Sequence, residues 1–330
     1  MRETISVCIP VYNGAETIFW TIESILNQTQ TDFELLIADN CSTDNTREII
    51  ASFDDPRIRL VVNETNRGCG GNLESCKENA KGDILFYISA DDIADKNALK
   101  TVSAAFQTSD EIGIVTRPYY WFDETVTKAV RAKKQFKQDK TVSMSNSFDS
   151  IRDVIGLADQ ISGIGFRKKF MTYSFVDKPF IEMASMVLPM LKNCKAIILK
   201  ENIVAIRISN SGAQSPRVFI NSPMKAWMRT IEESFPEIKY HQLRRYLAHN
   251  FVANNYIGLV QIKNFGGLGP LIRELSYMVY LKWTNLISLK FWLFSATTLL
   301  VPGFILKRLV IVFKNRLNSK MLQNIKVCDV

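Results

Sequence analysis

The stretch that most constrains this chain is DILFYISADD, residues 83–92. Ile84 to Ile88 form an unbroken apolar run, which suits a strand covered on both faces. The run stops at Ser89-Ala90 and delivers two adjacent carboxylates, Asp91 and Asp92. Two acids at the end of a core strand repel each other. A divalent cation, which prefers carboxylate oxygens, relieves that repulsion. The plainer alternative is an exposed turn in which Asp92 or Asp95 caps a helix over Lys96 to Phe106.

The preceding residues set this stretch in a pattern. Ile5, Val7, Ile9 and Val11 alternate with Ser6, Cys8 and Pro10, a first strand closed by the turn Tyr12-Asn13-Gly14. Glu16 to Gln28 has helical spacing. Phe33 to Ala38 is a second strand ending at Asp39-Asn40, and Ser42-Thr43-Asp44 starts a second helix, Thr46 to Phe53. Ile58 to Val62 is a third strand, Asn63 to Gly71 a loop, and Asn72 to Ala80 a third helix. Strand and helix alternate three times before the fourth strand, which predicts a parallel sheet with helices on its faces. Such sheets bind ligands beyond the carboxyl ends of their strands. All four ends here carry polar residues and two carry acids, which turns alone do not require. No G-x-G-x-x-G follows the first strand and no P-loop occurs. A nucleotide diphosphate would instead be held through a cation on the acids after the fourth strand, which suits chemistry in which the diphosphate leaves.

With 330 residues, 47% hydrophobic and 22% charged, the chain has a globular composition and room for one large or two smaller domains. Six scattered cysteines without a C-x-x-C pair argue against a zinc site or a disulfide framework. His241 and His249, the only histidines, offer little to a histidine-based catalyst. Met1-Arg2-Glu3-Thr4 leads into the first strand without the character of a signal peptide. From residue 271 onward nine basic residues face two acidic ones, so +7 of the total +8 lies in the tail.

The segments SVCIPVYNGAETIFWTIESILNQT, FELLIADNCSTDNT and NRGCGGNLESCKENAKGDILFYISADD resemble the inverting family-2 glycosyltransferases of the GT-A fold, above all bacterial enzymes of surface polysaccharide assembly. The resemblance is strong to about residue 115, weaker to about 215, and absent beyond. It implies a Rossmann-like parallel or mixed sheet with helices on both faces. It implies that Pro10, Val11, Tyr12 and Asn13 line the base and ribose pocket and that Glu16 supports that loop. Asp39 would accept a hydrogen bond from the base, and Arg67 and Gly68 would lie close to the nucleotide. Asp91 would hold Mn2+ or Mg2+, with Asp92 beside it as ligand or sugar contact. The family's first acid in this motif is Ser89 here, which leaves open which Asp holds the metal. The second acid of the Asp39 pair is Asn40.

Further along, Gly113 to Tyr120 reads as a strand, Trp121 to Lys140 as a loop, and Phe148 starts a helix. Gln160 to Phe166 resembles the small-residue strand that passes under the donor sugar in the family. The family places its catalytic base just before a helix such as the one after Phe180-Ile181-Glu182-Met183. Glu182 fits best, Asp177 second and Asp159 third, with helix N-terminal electrostatics as the alternative explanation of the acids. Ala196 to Ile208 reads as a last strand. Arg207 after it is similar to the family's cation over the diphosphate, or pairs with a surface acid.

From Pro223 the pattern is helical, Met224 to Phe235 and Tyr240 to Lys263, with a hinge at Gly266 to Pro270. Phe291 to Leu306 is uncharged but only sixteen residues long and interrupted by Pro302-Gly303, short of the ~20 a crossing needs. This favours helices lying in a membrane interface, with Trp283, Trp292 and the cations at headgroup level on an anionic surface. A buried helix pair or an oligomer contact is the alternative. No nucleic-acid reader motif accompanies the charge.

The expected organisation is therefore a nucleotide-sugar-binding half over 1–115, an acceptor-binding half over 116–215 and a basic, helical membrane-interface region over 216–330. The expected activity is metal-dependent inverting transfer from a nucleotide diphosphate sugar, UDP-sugar favoured, to a lipid-linked saccharide at the cytoplasmic membrane face. The rivals are a sugar nucleotidyltransferase, whose basic glycine-rich loop after the first strand is lacking, and a non-catalytic nucleotide-sugar or saccharide binder.

Overall fold

The structure is a computed structural model that describes residues 3–175, 181–208, 219–306, 308, 322 and 325–329. Asp177, the segment Ser209-Asn210-Ser211 and the cations Lys307, Lys314, Arg316 and Lys320 lie outside the described residues. The chain divides into two compact units. One comprises Met1–Lys178, Glu182–Ser209 and Asn324–Val330, the other Pro179–Ile181 and Asn210–Gln323.

The first unit opens with the alternation that the hydrophobic periods predict: β1 (Ile5–Val11), α1 (Ile18–Leu26), β2 (Glu34–Asp39), α2 (Thr46–Ala51), β3 (Ile58–Val62), α3 (Gly68–Asn79) and β4 (Ile84–Tyr87). It continues through β5 (Ile93–Ala94), α4 (Ala98–Gln107), β6 (Ile112–Thr116), β7 (Tyr120–Phe122), β8 (Arg131–Ala132), β9 (Lys140–Val142), α5 (Phe148–Leu157), β10 (Ile164–Arg167), α6 (Glu182–Met190), β11 (Lys195–Ile198) and β12 (Val204–Arg207). Eight strands form one sheet in the order β3-β2-β1-β4-β10-β6-β11-β9. The first four run parallel, whereas β10 lies antiparallel to both β4 and β6. The α/β expectation thus holds in its mixed form. β4, apolar at every position, is the buried strand it was read as.

Several boundaries differ from the sequence reading. Gly68-Cys69-Gly70-Gly71 is the first turn of α3, not the end of a loop. A Cβ at Gly71 would meet the Arg67 Cβ at 2.6 Å, so a bare backbone lets the turn close there. The run from Gly113 to Tyr120 splits at Arg117-Pro118 into β6 and β7, which belong to different sheets. Pro118 has no N–H to give to a ladder. Likewise Ala196 to Ile208 splits around the polar Lys200-Glu201-Asn202 into β11 and β12. The stretch read as a loop, Trp121 to Lys140, contains the β7–β8 hairpin.

A second, four-stranded sheet has the order β5-β12-β7-β8. Residues 325–329 close over it: Cys328 is buried with Ile93, Tyr120, Phe122 and Ala205, and Ile325 and Val327 pack alongside. The Cys328 N–H donates to the Tyr120 hydroxyl (3.0 Å), the Asp329 N–H to Asp95 Oδ2 (2.9 Å) and the Lys96 N–H to the Asp329 carbonyl (2.7 Å).

The second unit is helical: α7 (Pro223–Ser234), α8 (His241–Asn250), α9 (Tyr256–Gln261), α10 (Leu268–Leu281) and α11 (Leu289–Leu300). Its buried carboxylate, Glu274, accepts from Ser222 Oγ (2.9 Å), the Met224 N–H (3.3 Å) and Arg273 Nε (2.9 Å). The pattern from Tyr240 to Lys263 is broken because Asn255 starts α9 afresh, its side chain accepting from the Gly258 N–H. Among the described residues no helix is long and apolar enough to cross a membrane.

Candidate active site

Strand register fixes where the ends of β2 and β4 lie. Val11 pairs with Asp39 and Cys8 with Tyr87, and the Ile88 N–H donates to the Cys8 carbonyl (3.0 Å). The tips of β2 and β4 therefore flank the tip of β1 on one edge of the sheet, two strand spacings or about 10 Å apart.

The β1 tip is pinned to the turn after β2. Asn13 sits in the left-handed region (φ 51°), which its short polar side chain tolerates. Its N–H donates to Ser42 Oγ (2.9 Å) and its Oδ1 accepts from the Thr43 N–H (2.8 Å). The Gly14 N–H donates to Thr46 Oγ1 (2.9 Å) and the Ala15 N–H to Asp44 Oδ2 (3.1 Å). Burial acts against the Asp44 charge, but hydrogen bonds from Thr46 and Ala15 hold its carboxyl below the usual carboxylate range. The result is an immobilised platform with Val11 inside, Pro10 half-buried, and Tyr12 49% exposed at the surface. Glu16 is exposed in the turn leading to α1.

At the β2 tip Asp39 is fully buried. It accepts two long bonds from the Ser42 N–H (3.3 and 3.2 Å), and Arg47 Nε stands 3.6 Å from its Oδ2. Asn40 beside it is bonded at every position. Its Nδ2 donates to Asn66 Oδ1 (2.9 Å) and the Gly68 carbonyl (3.0 Å); its Oδ1 accepts from Asn63 Nδ2 (3.0 Å) and the Arg67 N–H (2.9 Å). Arg67 is exposed where α3 begins, with Nη1 3.4 Å from Glu78.

At the β4 tip the two acids differ. Asp92 is 2% exposed; its Oδ1 accepts from the Arg207 N–H (2.8 Å) and its Oδ2 from Ser162 Oγ (2.5 Å). Asp91 is only partly buried and takes a hydrogen bond from the Ser89 side chain. Burial raises the Asp91 carboxyl above its ordinary value, against the Ser89 hydroxyl and the Arg207 charge. Burial, then the neighbouring Asp91 charge, pushes Asp92 well above the ordinary value. Arg207 wraps this corner, donating from Nε to the Asp91 carbonyl (3.0 Å) and lying over the Phe122 ring at 4.6 Å. Beneath lies Arg117, fully buried, its Nη1 donating to the Leu157 carbonyl (3.1 Å) and its Nη2 to the Ser162 carbonyl. Burial pushes its guanidinium down to about 10. Gly163, at φ +84°, is required there, because a Cβ would meet Arg117 Nε at 2.5 Å.

The donor set suits a hard cation. Asp91 and the Ser89 hydroxyl that bonds it are oxygen donors, the kind a hard cation takes, while among the described residues no group of three or more His, Cys, Asp or Glu could hold a metal ion by itself. Mg2+-type ions are held in this way, by one or two carboxylates completed by water and substrate phosphates.

Of the acids named as base, Glu182 is the first residue of α6 and partly buried, its carbonyl accepting from Ser185 Oγ (2.6 Å). Asp159 is taken up by Tyr119 Oη and Lys133 Nζ, each at 2.6 Å. Asp177 lies outside the described residues. Arg117 and Asn72 were not singled out from the sequence, whereas Ser162 lies in the stretch read as the strand under the donor sugar and Asn63 opens the polar end after the third strand. Ser42, Thr43 and Asp44 were legible as a turn and helix start, and a run of three short polar side chains after a strand is also what a loop-pinning network needs.

The mixed α/β sheet, with acids at or just beyond the ends of its parallel strands, was compared with known proteins. Residues 6–158 match the family described as Glycosyl transferase family 2. Over 96 residues it is 38% identical to UDP-Glc:alpha-D-GlcNAc-diphosphoundecaprenol beta-1,3-glucosyltransferase WfgD of Escherichia coli, covering 29% of this chain and 38% of that protein. The match thus spans well under half the length of that relative. TarS 1-349 of S. aureus in complex with UDP-GlcNAc superposes with a TM-score of 0.64 at 17% identity, over 95% of this chain and 92% of that one. Mannosyltransferase PcManGT from Pyrobaculum calidifontis, in complex with GDP-Man and Mn2+, gives 0.54 at 14% identity, over 97% and 89%. At these identities the likeness is one of fold.

Proposed function

We propose that this protein is a metal-dependent, inverting glycosyltransferase. It takes a sugar from a nucleotide diphosphate sugar, UDP-sugar favoured, and gives it to a lipid-linked saccharide in surface polysaccharide assembly of the O-antigen or capsule type. The observation that carries this reading is that β2 and β4 run parallel on either side of β1, with Asp39 ending β2 and Asp91 in the turn after β4.

In this reading Tyr12 and Asn13 form the floor of the base and ribose pocket. Asp39 accepts a base N–H after Arg47, whose 3.6 Å contact is longer than a hydrogen bond, swings aside. Arg67 and Gly68 border the nucleotide. Asp91, oriented by Ser89, holds Mn2+ or Mg2+, which supplies charge neutralisation at the leaving diphosphate. Asp92 fixes the strand tip and places Arg207, whose guanidinium faces the diphosphate oxygens. Glu182 takes the proton from the acceptor hydroxyl while its oxygen attacks the anomeric carbon from the side opposite the leaving nucleotide.

The second unit supports an acceptor held at a membrane. Trp283, Leu289, Trp292 and Leu300 are 68%, 85%, 50% and 81% exposed, beside Lys282 and Lys290. Aromatic side chains with interspersed cations fit the anionic, cytoplasmic face of the cell membrane, at about 1 kcal/mol per Lys or Arg near the surface. A panel of nucleotide sugars with a polyprenyl-diphosphate saccharide acceptor, read by mass spectrometry of the lipid product, tests the reading. One added sugar with release of nucleoside diphosphate supports it; donor binding without product points to a non-catalytic binder.

A further inference from the structure

We propose that Asn40 is a positioning residue for the nucleotide, and that the turn it holds needs an amide there and excludes a carboxylate. The inference rests on the reading of the strand tips as a donor site. Asn40 is 3% exposed and uses both of its donors and both of its acceptor positions. The orientation of its amide is fixed by two backbone groups that cannot reverse. The Arg67 N–H can only donate and the Gly68 carbonyl can only accept, so a flipped amide would set donor against donor and acceptor against acceptor.

Asn40 is also the outermost link of a chain of amides. Asn63 Nδ2 donates onward to Asn72 Oδ1 (3.0 Å), and Asn63 Oδ1 accepts from Ser75 Oγ (2.8 Å). Asn72 Nδ2 donates to the carbonyls of Ala38 (2.9 Å) and Val11 (3.3 Å). The ends of β1 and β2 are thereby tied to the first turns of α3. The exposed Arg67-Gly68 turn hangs on this chain through Asn40. A carboxylate in its place keeps the two accepting bonds but turns oxygens towards the Gly68 carbonyl and Asn66 Oδ1. It also sets a second charge beside buried Asp39. The turn must then move away, and Arg67 and Gly68 with it.

Calorimetric titration with UDP in the presence of Mn2+, donor kinetics and thermal denaturation on the full chain test this. Asn40→Asp is expected to weaken UDP binding at least tenfold, about 1.4 kcal/mol, and to raise donor KM in parallel. Its kcat at saturating donor stays near that of the wild type. Asn66→Ala, which removes the exposed oxygen that accepts from both Asn40 Nδ2 and the Gly68 N–H, gives a smaller shift of the same kind. Unchanged UDP affinity in Asn40→Asp, or a lowered Tm without a KM shift, overturns the inference. If Asn40→Asp does not fold, unchanged affinity in Asn66→Ala overturns it. A wild type that binds no nucleoside diphosphate at all sinks the donor-site reading instead.

Discussion

The tips of β2 and β4 solve one problem with opposite chemistry. Each ends in a pair of polar residues, and in each pair the first is lightly bonded while the second is anchored. Asp39 has two long bonds from one N–H and a distant Arg47, whereas Asn40 has four bonds. Asp91 has Ser89, whereas Asp92 holds Ser162 and the Arg207 N–H. On the proposed reading the first residue of each pair takes a ligand and the second holds the turn. The anchors differ because their partners differ. Asn40 faces a fixed donor and a fixed acceptor, so only an amide matches both. Asp92 faces one fixed donor and one hydroxyl, and a hydroxyl can donate or accept.

That contrast can be broken by mutation. The largest expected effect falls on a free first residue: Asp91→Ala should cut transfer by a factor of about 10²–10³ or more, the scale of losing a charge-stabilising group, in an initial-rate assay with saturating donor. Near-normal turnover would remove Asp91 from the site. Glu182→Gln should stop transfer yet leave UDP affinity within about twofold, a binding difference of only ~0.4 kcal/mol; an unchanged rate moves the base elsewhere. Next come the anchors. Asp92→Ala strands the buried Arg207 N–H and Ser162 hydroxyl, at about 1–3 kcal/mol each, whereas Asp92→Asn should lose much less because Ser162 can reverse its role. Urea denaturation compares the two, and equal losses would contradict the partner argument.

A smaller effect is set by pH. The carboxyls of Glu34, Asp44 and Asp83 lie below their ordinary values. For Glu34, burial acts against the charge but is outweighed by Ser6, Lys81 and Arg59; for Asp83, the Thr4 N–H leads. Folded values below unfolded ones mean that the stabilisation is full above the unfolded values of about 4 and is lost as pH falls through the folded ones. Asp91 and Asp92, raised by burial, act the other way, gaining stability as pH falls through their folded values. The loss from the three lowered carboxyls should therefore appear as a drop in Tm below about 4; Asp44→Asn should flatten that drop, and an unaltered drop would deny it. The smallest effect concerns the second unit. Replacing Trp283 and Trp292 by Ala should weaken sedimentation with phosphatidylglycerol vesicles and leave activity on a soluble acceptor analogue intact. No change in sedimentation would point those side chains towards a protein contact.

The same contrast explains what could be read from sequence. β1 to β4 were legible because each is an apolar run of strand length with a polar end, and Asp39, Asp91 and Asp92 were legible as acids where turns need none. Asn40 was legible only as a departure from a pair of acids. Its four partners come from Asn63, Asn66, Arg67 and Gly68, which no local period links to it. The contacts of Ser162 and Arg117 were hidden for the same reason: β10 enters the sheet antiparallel beside β4, and that pairing brings Ser162 under Asp92 across 70 residues. The breaks at Pro118 and at Lys200-Glu201-Asn202 were visible as residues, but one continuous strand and two strands in different sheets share the same apolar pattern.

In the proposed function, Asp91 serves a nucleotide through a cation. Titrating UDP calorimetrically into wild type and Asp91→Ala, each with and without Mn2+, tests it most directly. The account requires Mn2+ to tighten UDP binding in the wild type and to have no such effect in Asp91→Ala. Equal tightening in both proteins would contradict it.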